Sequence, residues 1–346
     1  MKINIINFDN DNCIAAYNAE VLSLFLKKSG EDVSVFCESG SYLFAQAEKL
    51  KIPVYPLSLA LKIGLKSLPA ADINDYFGYS FFIKTMLLKN NKHNRKSFLR
   101  IYDFYPQKIL SSVKEISKYF YRILPACESL KDELISAGIT RDKTFVFYPI
   151  LNMTRWESAK LIKTAMFLKR PFKIGMSYRE INEENLLFFL RIAKKTIEEV
   201  SNADFIMVGP RYEKIREKAR EMGISHRLDM LDWRTDMPEV MAMLHVFIKT
   251  EINPKISRSL MEAMASGVVC AVPRIKGLSD FIIHDFNGVL TEPGNVTDYV
   301  MAIKKFLGNP PLCQTMSLAA FNHINDNMSA QVLSKLSKVL YEEPVQ

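Results

Sequence analysis

Several features that define common protein classes are absent from this chain of 346 residues. The five cysteines are odd in number and widely scattered, and no C-x-x-C occurs, which argues against a disulfide framework or a zinc site. The five histidines form neither H-x-H nor H-E-x-x-H, the common patterns of transition-metal sites. Neither a G-x-G-x-x-G nor a G-x-x-x-x-G-K-[ST] loop is present, which disfavours the usual dinucleotide site and a P-loop.

Long apolar runs are also missing. No window approaches the ~18 uncharged apolar residues that a membrane span needs. The first ten residues hold too short an apolar run for a secretory signal, and Asp9 and Asp11 follow at once. Apolar residues make up 48% of the chain and charged residues 24%, as in ordinary globular proteins. We therefore expect a cytoplasmic protein, and the length favours two domains.

The positive charge is concentrated in one stretch. Residues 62–122 contain twelve Lys or Arg and four acidic residues. The difference of eight equals the net charge of +8 of the whole chain. A local basic field attracts polyanions or an anionic membrane surface, and no nucleic-acid signature accompanies it. Within residues 57–122, the segments 57–68 and 108–124 interleave apolar and basic residues. Each segment predicts either an interfacial helix on a membrane or an amphipathic helix packed on the core with its lysines in solvent.

The alternation of short apolar runs with helix-length amphipathic segments predicts an α/β protein. This order is typical of parallel sheets that helices cover on both faces. The predicted strands are Lys2–Asn7, Val33–Cys37, Phe98–Asp103, Ile123–Ala126, Thr144–Ile150, Phe172–Met176, Asp204–Gly209, Leu228–Leu231, Val246–Lys249 and Val269–Pro273. The predicted helices include Ala15–Lys28, Asn185–Val200, Glu213–Met222, Ser257–Ala265 and Ser329–Tyr341.

The strand pattern pauses once, and this pause predicts the domain borders. Asn152–Arg170 shows no clear strand and is bracketed by Pro149 and Pro171. We expect a first domain over 1–151, a linker over 152–171 and a second domain over 172–325. Two doubly wound domains in tandem would face a common cleft, and such sheets bind ligands beyond the carboxyl ends of their strands.

The turn after the first predicted strand contains Asp9-Asn-Asp11. This D-x-D sequence is able to hold a divalent ion near a diphosphate. The alternative is a polar strand-to-helix turn with an Asx cap, and we favour that interpretation. No metal site is therefore expected.

The most informative stretch is 249–273, KTEINPKISRSLMEAMASGVVCAVP. A strand ends, a loop follows, and a helix begins near Ser257, which can cap that helix. The free N–H groups at such a helix start bind phosphate oxygens. Residues 262–269, EAMASGVV, resemble the second half of the nucleotide-sugar-binding motif of family 4 glycosyltransferases, which is a Glu, seven residues and then Glu-Ala-Met-Ala-x-Gly-x-Pro-Val.

The resemblance spans nearly the whole chain, is specific from 246 to 294 and is looser before 150. Other matching segments are 99–106 (LRIYDFYP), 126–134 (ACESLKDEL), 177–179 (SYR), 276–282 (KGLSDFI) and 285–294 (DFNGVLTEPG). It implies the GT-B fold: two Rossmann-like doubly wound domains facing a cleft, with a final helix in 326–346 that crosses back to the first domain.

The resemblance also implies roles for single residues. Glu262 would hold the ribose hydroxyls of the donor, and Arg179 would neutralise the departing diphosphate; a solvent-facing carboxylate and a surface arginine are the alternatives. The remaining donor-binding candidates are Ser257, Arg258 and Lys255 near the phosphates, Asp232 and Trp233 near the base, and Gly209. The remaining catalytic candidates are Glu251, three residues before the usual motif glutamate, and Tyr102 and Asp103 in the first domain.

Four positions depart from the family pattern. Pro254 stands eight residues before Glu262, where the motif has its first glutamate, and Glu184 stands where the family has a phosphate-binding lysine. Tyr102 replaces a histidine, and Asp9–Asn12 replaces a glycine-rich loop. Removing one preorganised donor from a developing charge costs roughly 3–4 kcal/mol, so the lost lysine needs a substitute. Arg258 and Lys255 are the candidates.

The resemblance therefore implies a retaining, metal-independent glycosyltransferase without a cofactor, whose co-substrate is a nucleoside-diphosphate sugar. The second domain would bind the donor and the first would hold a glycan or lipid-linked acceptor in surface-polysaccharide biosynthesis, at the inner face of a membrane. An inactive pseudoenzyme that serves as a binding or chaperone subunit is the main alternative. An epimerase or phosphorylase of the same fold has no supporting residue.

Overall fold

A computed structural model describes residues 1–90, 96–156, 171–232, 234 and 236–343, with the side chains of 88–90 excepted. The chain forms two compact units. The first unit comprises Met1–Asn152 and Asn327–Gln346, and the second comprises Met153–Asp326. Most of the predicted linker, 157–170, lies outside the described residues. No helix of the described segments is long and apolar enough to cross a membrane.

The strands and helices alternate along the chain, as the apolar pattern predicted. The strands are β1 (Lys2–Asn7), β2 (Asp32–Cys37), β3 (Val54–Pro56), β4 (Ile73–Phe77), β5 (Lys96–Ile101), β6 (Arg122–Pro125), β7 (Phe172–Ser177), β8 (Ala203–Val208), β9 (Leu228–Leu231), β10 (Val246–Ile248), β11 (Val269–Pro273) and β12 (Val289–Thr291). The helices are α1 (Ile14–Lys28), α2 (Tyr42–Lys49), α3 (Leu59–Lys62), α4 (Ile83–Asn90), α5 (Gln107–Ser117), α6 (Glu128–Ser136), α7 (Glu183–Glu199), α8 (Glu213–Glu221), α9 (Met237–Met243), α10 (Arg258–Ala265), α11 (Val296–Gly308), α12 (Pro310–Met328) and α13 (Ala330–Glu342).

Each unit is built around one parallel six-stranded sheet. The strand order is β3-β2-β1-β4-β5-β6 in the first sheet and β12-β11-β10-β7-β8-β9 in the second. Both orders are doubly wound, and the direction of winding reverses between β1 and β4 and between β7 and β10. Ligands of open α/β sheets bind at such a reversal, outside the carboxyl ends of the strands. The second sheet thus places the residues that follow β7 and β10 at its switch point.

The last helix belongs to the first unit, which confirms the expected return of the chain. In the core of that unit, Arg100 donates from Nε to both carboxylate oxygens of Asp75, at 3.0 and 2.9 Å. Tyr341 of α13 donates its hydroxyl to the same carboxylate, and Arg100 donates to Ser337 Oγ at 3.3 Å. A buried guanidinium and a buried carboxylate are tolerated only when paired, so β4, β5 and α13 are joined by one polar network, the Arg100 network.

Two differences from the sequence-based expectations have clear physical reasons. Ile73–Phe77 was not predicted as a strand because Asn74 and Asp75 are unfavourable in strands; here Asn74 accepts from Asn4 Nδ2 at 2.9 Å and Asp75 pairs with Arg100. Conversely, the predicted strand at 144–150 is wrong. Its backbone runs beside β6, with Phe147 N donating to Pro125 O at 2.9 Å. Two residues later Pro149 has no N–H with which to continue a strand ladder.

The turn after β1 is polar, as favoured. The carboxylate of Asp9 accepts from Asn7 Nδ2 at 3.0 Å and from the Cys13 thiol at 3.2 Å. The cap of α1 is not an Asx side chain, however, because the sulfur of Cys13 accepts from Ala16 N at 3.3 Å. None of the five cysteines, all within the described residues, forms a disulfide.

Candidate functional site

The loop that connects β10 with α10 carries the densest group of charged residues at the switch point of the second sheet. Directly after β10, Lys249 is buried and its ammonium lies 2.6 Å from Oε1 of Glu251. The same ammonium donates to Ser259 Oγ at 3.3 Å, in the first turn of α10. The strand end is thereby tied to the start of the helix, and Glu251 is held at the switch point.

The electrostatics of Glu251 follow from this pair. Burial is the largest single influence and raises the pKa of this carboxyl, but the Lys249 ammonium, a backbone hydrogen bond and the Lys255 charge together outweigh it, and the net effect lowers the pKa below its ordinary value. The backbone N–H of Thr250 also donates to Oε2 at 3.1 Å. Glu251 is therefore a fixed carboxylate acceptor at neutral pH.

The helix that follows begins where the sequence predicted. Ser257 is its N-cap, since its hydroxyl accepts from Leu260 N at 3.3 Å. The Ser257 and Ser259 hydroxyls lie 3.1 Å apart. The cap uses one of the free N–H groups of the first turn, and the remaining N–H groups with the positive end of the helix dipole suit a phosphate.

Glu262 lies further along α10 and is largely buried, at 8% exposure. Its Oε1 accepts from Arg258 Nε at 2.8 Å, one helical turn away. Glu262 is thus an oriented, partly buried carboxylate and does not extend into solvent. Lys255 is exposed on the preceding loop, where its backbone N donates to Lys276 O at 3.1 Å.

Thr250 and Lys249 are two residues of this site that the sequence analysis did not single out. The hydroxyl of Thr250 is buried and has no hydrogen-bond partner among the described residues. Thr250 lines a cavity of about 260 Å³, together with Glu184, Asn185, Phe188, Arg191, Ile252, Gly294 and Val296. A buried polar atom without a partner is rare and points to a missing ligand or water. A lysine and a threonine directly after a buried strand were the available signal.

Arg179 follows β7, the neighbour of β10 in the sheet, and its side chain is exposed. Gly209 follows β8, where a Cβ atom would lie 2.4 Å from the carbonyl oxygen of Tyr178. The absence of a side chain at Gly209 is thus required by the packing of Tyr178. Asp232, after β9, pairs with Arg211, whose Nε lies 2.8 Å from Oδ2. Trp233 lies outside the described residues.

The two candidates in the first unit differ from each other. Asp103 is exposed directly beyond β5, but Tyr102 is fully buried and its ring stacks on Phe77 with centroids 6.4 Å apart. Burial raises the pKa of the Tyr102 phenol. Tyr102 therefore supports the core of the first unit, and its hydroxyl is not accessible to a sugar acceptor. At this strand end a buried aromatic side chain stands where the family has a histidine.

The described residues contain no group of three or more His, Cys, Asp or Glu side chains that could hold a metal ion. The structure instead brings together Lys249, Glu251, Ser257, Arg258, Ser259 and Glu262 on one strand-loop-helix unit. Such a site offers cations, helix N–H groups and carboxylates. The cations and the helix N–H groups suit the phosphates of a phosphorylated sugar compound, and the carboxylates suit its hydroxyls.

Comparison with known proteins shows a family to which the second unit is similar. Residues 161–323 match the family described as Glycosyl transferases group 1. The chain is 25% identical over 182 residues to UDP-Gal:alpha-D-GlcNAc-diphosphoundecaprenol alpha-1,3-galactosyltransferase of Escherichia coli, covering 51% of this chain and 45% of that protein. It is 29% identical over 125 residues to D-inositol 3-phosphate glycosyltransferase of Corynebacterium diphtheriae, covering 36% of this chain and 29% of that protein. The matches thus span less than half the length of these relatives.

Solved structures resemble the whole chain in fold. Anabaena Alr3699/HepE in complex with UDP superposes with a TM-score of 0.83 at 15% identity, covering 99% of this chain and all of that one. A glycosyltransferase from Rickettsia africae also gives a TM-score of 0.83 at 15% identity, covering 99% and 98%. The chain thus has the GT-B fold, and its residues 161–323 are similar to the group 1 glycosyltransferases.

Proposed function

We propose that this protein is a glycosyltransferase that moves a sugar from a nucleoside-diphosphate sugar to a glycan or lipid-linked acceptor. The observation that carries the proposal is the Lys249–Glu251 and Arg258–Glu262 pairs at the switch point of the second sheet, inside the segment that matches the family. In this proposal Glu262 binds the ribose hydroxyls, and the start of α10 binds the diphosphate.

The reaction needs positive charge at the leaving group. The bond between the anomeric carbon and the diphosphate oxygen breaks, a bond from that carbon to the acceptor oxygen forms, and the acceptor hydroxyl loses its proton. Negative charge develops on the diphosphate, so preorganised donors there lower the barrier. Arg179 and Arg258 would supply this charge, with Lys255 nearby and Ser257 at the helix start. Glu251 would orient the transferred sugar through its hydroxyls.

The remaining parts of the proposal rest on similarity. Alr3699/HepE, which has the same fold, binds UDP, and a uridine nucleotide is accordingly the proposed donor base. The Escherichia coli relative acts on a diphosphoundecaprenol-linked sugar, which supports a lipid-linked acceptor in polysaccharide biosynthesis. The family resemblance implies retention of anomeric configuration without a metal ion. Asp103 would face the acceptor, and residues 57–122 would contact an anionic membrane surface on its cytoplasmic side.

An inactive donor-binding subunit is the second candidate. It is favoured by Glu184, which replaces the family's lysine and lines the same cavity as Thr250. A carboxylate there repels a diphosphate. In addition, Pro254 stands where the family motif has its first glutamate, in the loop before α10. Such a subunit would bind a nucleotide without turnover.

Two measurements separate these functions. We expect UDP to raise the Tm, since a ligand at 100 times its Kd adds about 2.7 kcal/mol to the free energy of unfolding. We then expect slow hydrolysis of a matching UDP-sugar, followed by release of UDP. A Tm shift without hydrolysis or transfer for any nucleotide sugar would establish the inactive subunit, and no shift with any nucleoside diphosphate would refute both.

A further inference from the structure

The first unit exposes five large apolar side chains on two adjacent helical segments, which we call the apolar surface. They are Leu59 in α3, Ile63 and Leu65 in the turn that follows it, and Phe81 and Phe82 in the turn before α4. Leu65, Phe81 and Leu59 are exposed by 72%, 71% and 67%. Side chains of this size rarely stay in water together on a soluble surface without a binding role.

Contacts hold these two segments side by side. The ammonium of Lys62 lies 5.5 Å from the centroid of the Phe82 ring, and α3 packs against α4. Phe82 also stacks on Phe8 with ring centroids 6.5 Å apart, and Phe81 meets Tyr79 edge to face at 5.6 Å. The apolar surface is therefore a defined platform on the fold and not a set of isolated side chains.

The two basic segments predicted from the sequence differ in the structure. Helix α5, in segment 108–124, buries Leu110, Val113 and Ile116 and is thus an ordinary amphipathic helix on the core. Segment 57–68 keeps Leu59, Ile63 and Leu65 exposed. Of the two, only segment 57–68 thus leaves its apolar face available for a partner.

Charge identifies the chemistry of that partner. Lys66 is exposed beside Leu65, and Lys84 is exposed in the first turn of α4, while Lys108 and Lys114 of α5 and Lys118 at its end are also at the surface. The acidic residues at this edge are Glu38 and Glu115, which pair with Lys62 and Lys84, and Asp9, Asp11 and Asp103 in the turns after β1 and β5. Residues 62–122 nevertheless hold twelve basic and four acidic residues, so the apolar surface lies in a segment of strong positive charge. An interfacial membrane site combines these two features.

Topology places this surface next to the proposed acceptor site. Helix α3 follows β3, and Phe81 and Phe82 follow β4, so both lie beyond the carboxyl ends of the first sheet. Asp103 follows β5 at the same edge. A bilayer at this edge would present a lipid-linked acceptor without requiring its lipid to leave the membrane.

We propose that the apolar surface inserts into an anionic bilayer, with Leu65 and Phe81 entering the interface and Lys66 and Lys84 contacting lipid phosphates. This extends the proposed function, since it names the residues that bring the enzyme to a lipid-linked acceptor. Donor binding by the second unit does not depend on it.

The test is sedimentation of the full chain with vesicles of phosphatidylcholine alone or with 30% phosphatidylglycerol, at low and high salt. We expect binding to the anionic vesicles, at least tenfold weaker binding of the double variant Leu65→Ser, Phe81→Ser, and weaker binding of Lys66→Glu at low salt only. Two residues of the second unit, Phe286 and Met301, are exposed by 56% and 57%. Their Ser double variant is the matched control and should bind like the parent.

Three outcomes would overturn the inference: no binding of the parent to anionic vesicles, equal loss in the control variant, or a parent dimer that the Leu65→Ser, Phe81→Ser variant converts to a monomer. The last would make the surface a self-association face. A Tm shift by UDP, measured on each variant, shows separately whether the donor site is intact. Loss of vesicle binding with retained UDP binding therefore tests this inference apart from the proposed function.

Discussion

Glu262 is where a sequence motif and a physical environment coincide. The motif suggested a ribose ligand, and the structure adds that the carboxylate is nearly buried and oriented by Arg258. A carboxylate held in this way can accept two hydroxyl hydrogen bonds without first losing side-chain entropy.

Replacing Glu262 by alanine should weaken UDP binding about 10- to 100-fold, because hydrogen bonds to a charged group contribute roughly 1.5–3 kcal/mol. Isothermal titration calorimetry measures this change. Glu292→Ala is the control, since Glu292 is 66% exposed and lies 3.8 Å from Arg274 at a surface pair. Equal Kd values for parent and Glu262→Ala would remove Glu262 from the donor site.

Arg179→Ala should act mainly on turnover. If its guanidinium neutralises the leaving diphosphate, the interaction is stronger in the transition state than in the ground state, and kcat should fall about 100- to 1000-fold. The Kd for UDP should change much less. A steady-state assay with the matching UDP-sugar measures both, and a rise in KM with unchanged kcat would contradict the role.

The stability that Glu251 provides should depend on pH. Its pKa is lowered in the folded protein, so its contribution is complete above the unfolded value of about 4.3 and is lost as pH falls through the folded value. Glu251→Gln leaves Lys249 buried without its partner, which costs roughly 3–5 kcal/mol. Urea unfolding from pH 7 to about pH 2 should show that the difference in the free energy of unfolding between parent and variant narrows below about pH 4. A constant gap would mean that the Lys249–Glu251 pair is not stabilising.

At the scale of elements, apolar periodicity predicted most of both sheets, including β1, β9 and β11 with their observed bounds. It missed β4, because the strand becomes favourable only when Arg100 and Asn4 supply distant partners for Asp75 and Asn74. The site was predicted only in part for the same reason. Ser257 and Glu262 belong to a local motif, whereas the Lys249–Glu251 pair and the unpartnered Thr250 hydroxyl become visible only once the strand end meets α10.

The start of α10 can be tested as a unit. Ser257→Ala removes the N-cap and should lower the free energy of unfolding by about 1 kcal/mol and also weaken UDP binding. Ser41→Ala is the matched control, because Ser41 caps α2 of the first unit in the same way, accepting from Phe44 N at 3.2 Å. That variant should lose similar stability and keep the UDP affinity. If both variants bind UDP equally, the start of α10 is not a phosphate site.

At the scale of the whole molecule, the Arg100 network joins segments about 240 to 270 residues apart in sequence. Tyr341→Phe removes one buried donor to Asp75 and should cost about 1–3 kcal/mol, the penalty for a buried acceptor that loses its partner. Calorimetry with and without UDP should show a less stable first unit and an unchanged ligand-induced shift. A variant that loses the UDP shift would show that the network supports the donor site as well.

The return of α13 to the first unit has a consequence for biosynthesis. Met153–Asp326 is made before the segment that supplies Tyr341 and Ser337, so a growing chain has every residue of the second unit before it has the last residues of the first. Until α13 arrives, Arg100 and Asp75 lack two of their polar neighbours. The polar core of the first unit is therefore completed only after the second unit has been made, and the first unit is the part of the growing chain for which chaperones would matter most.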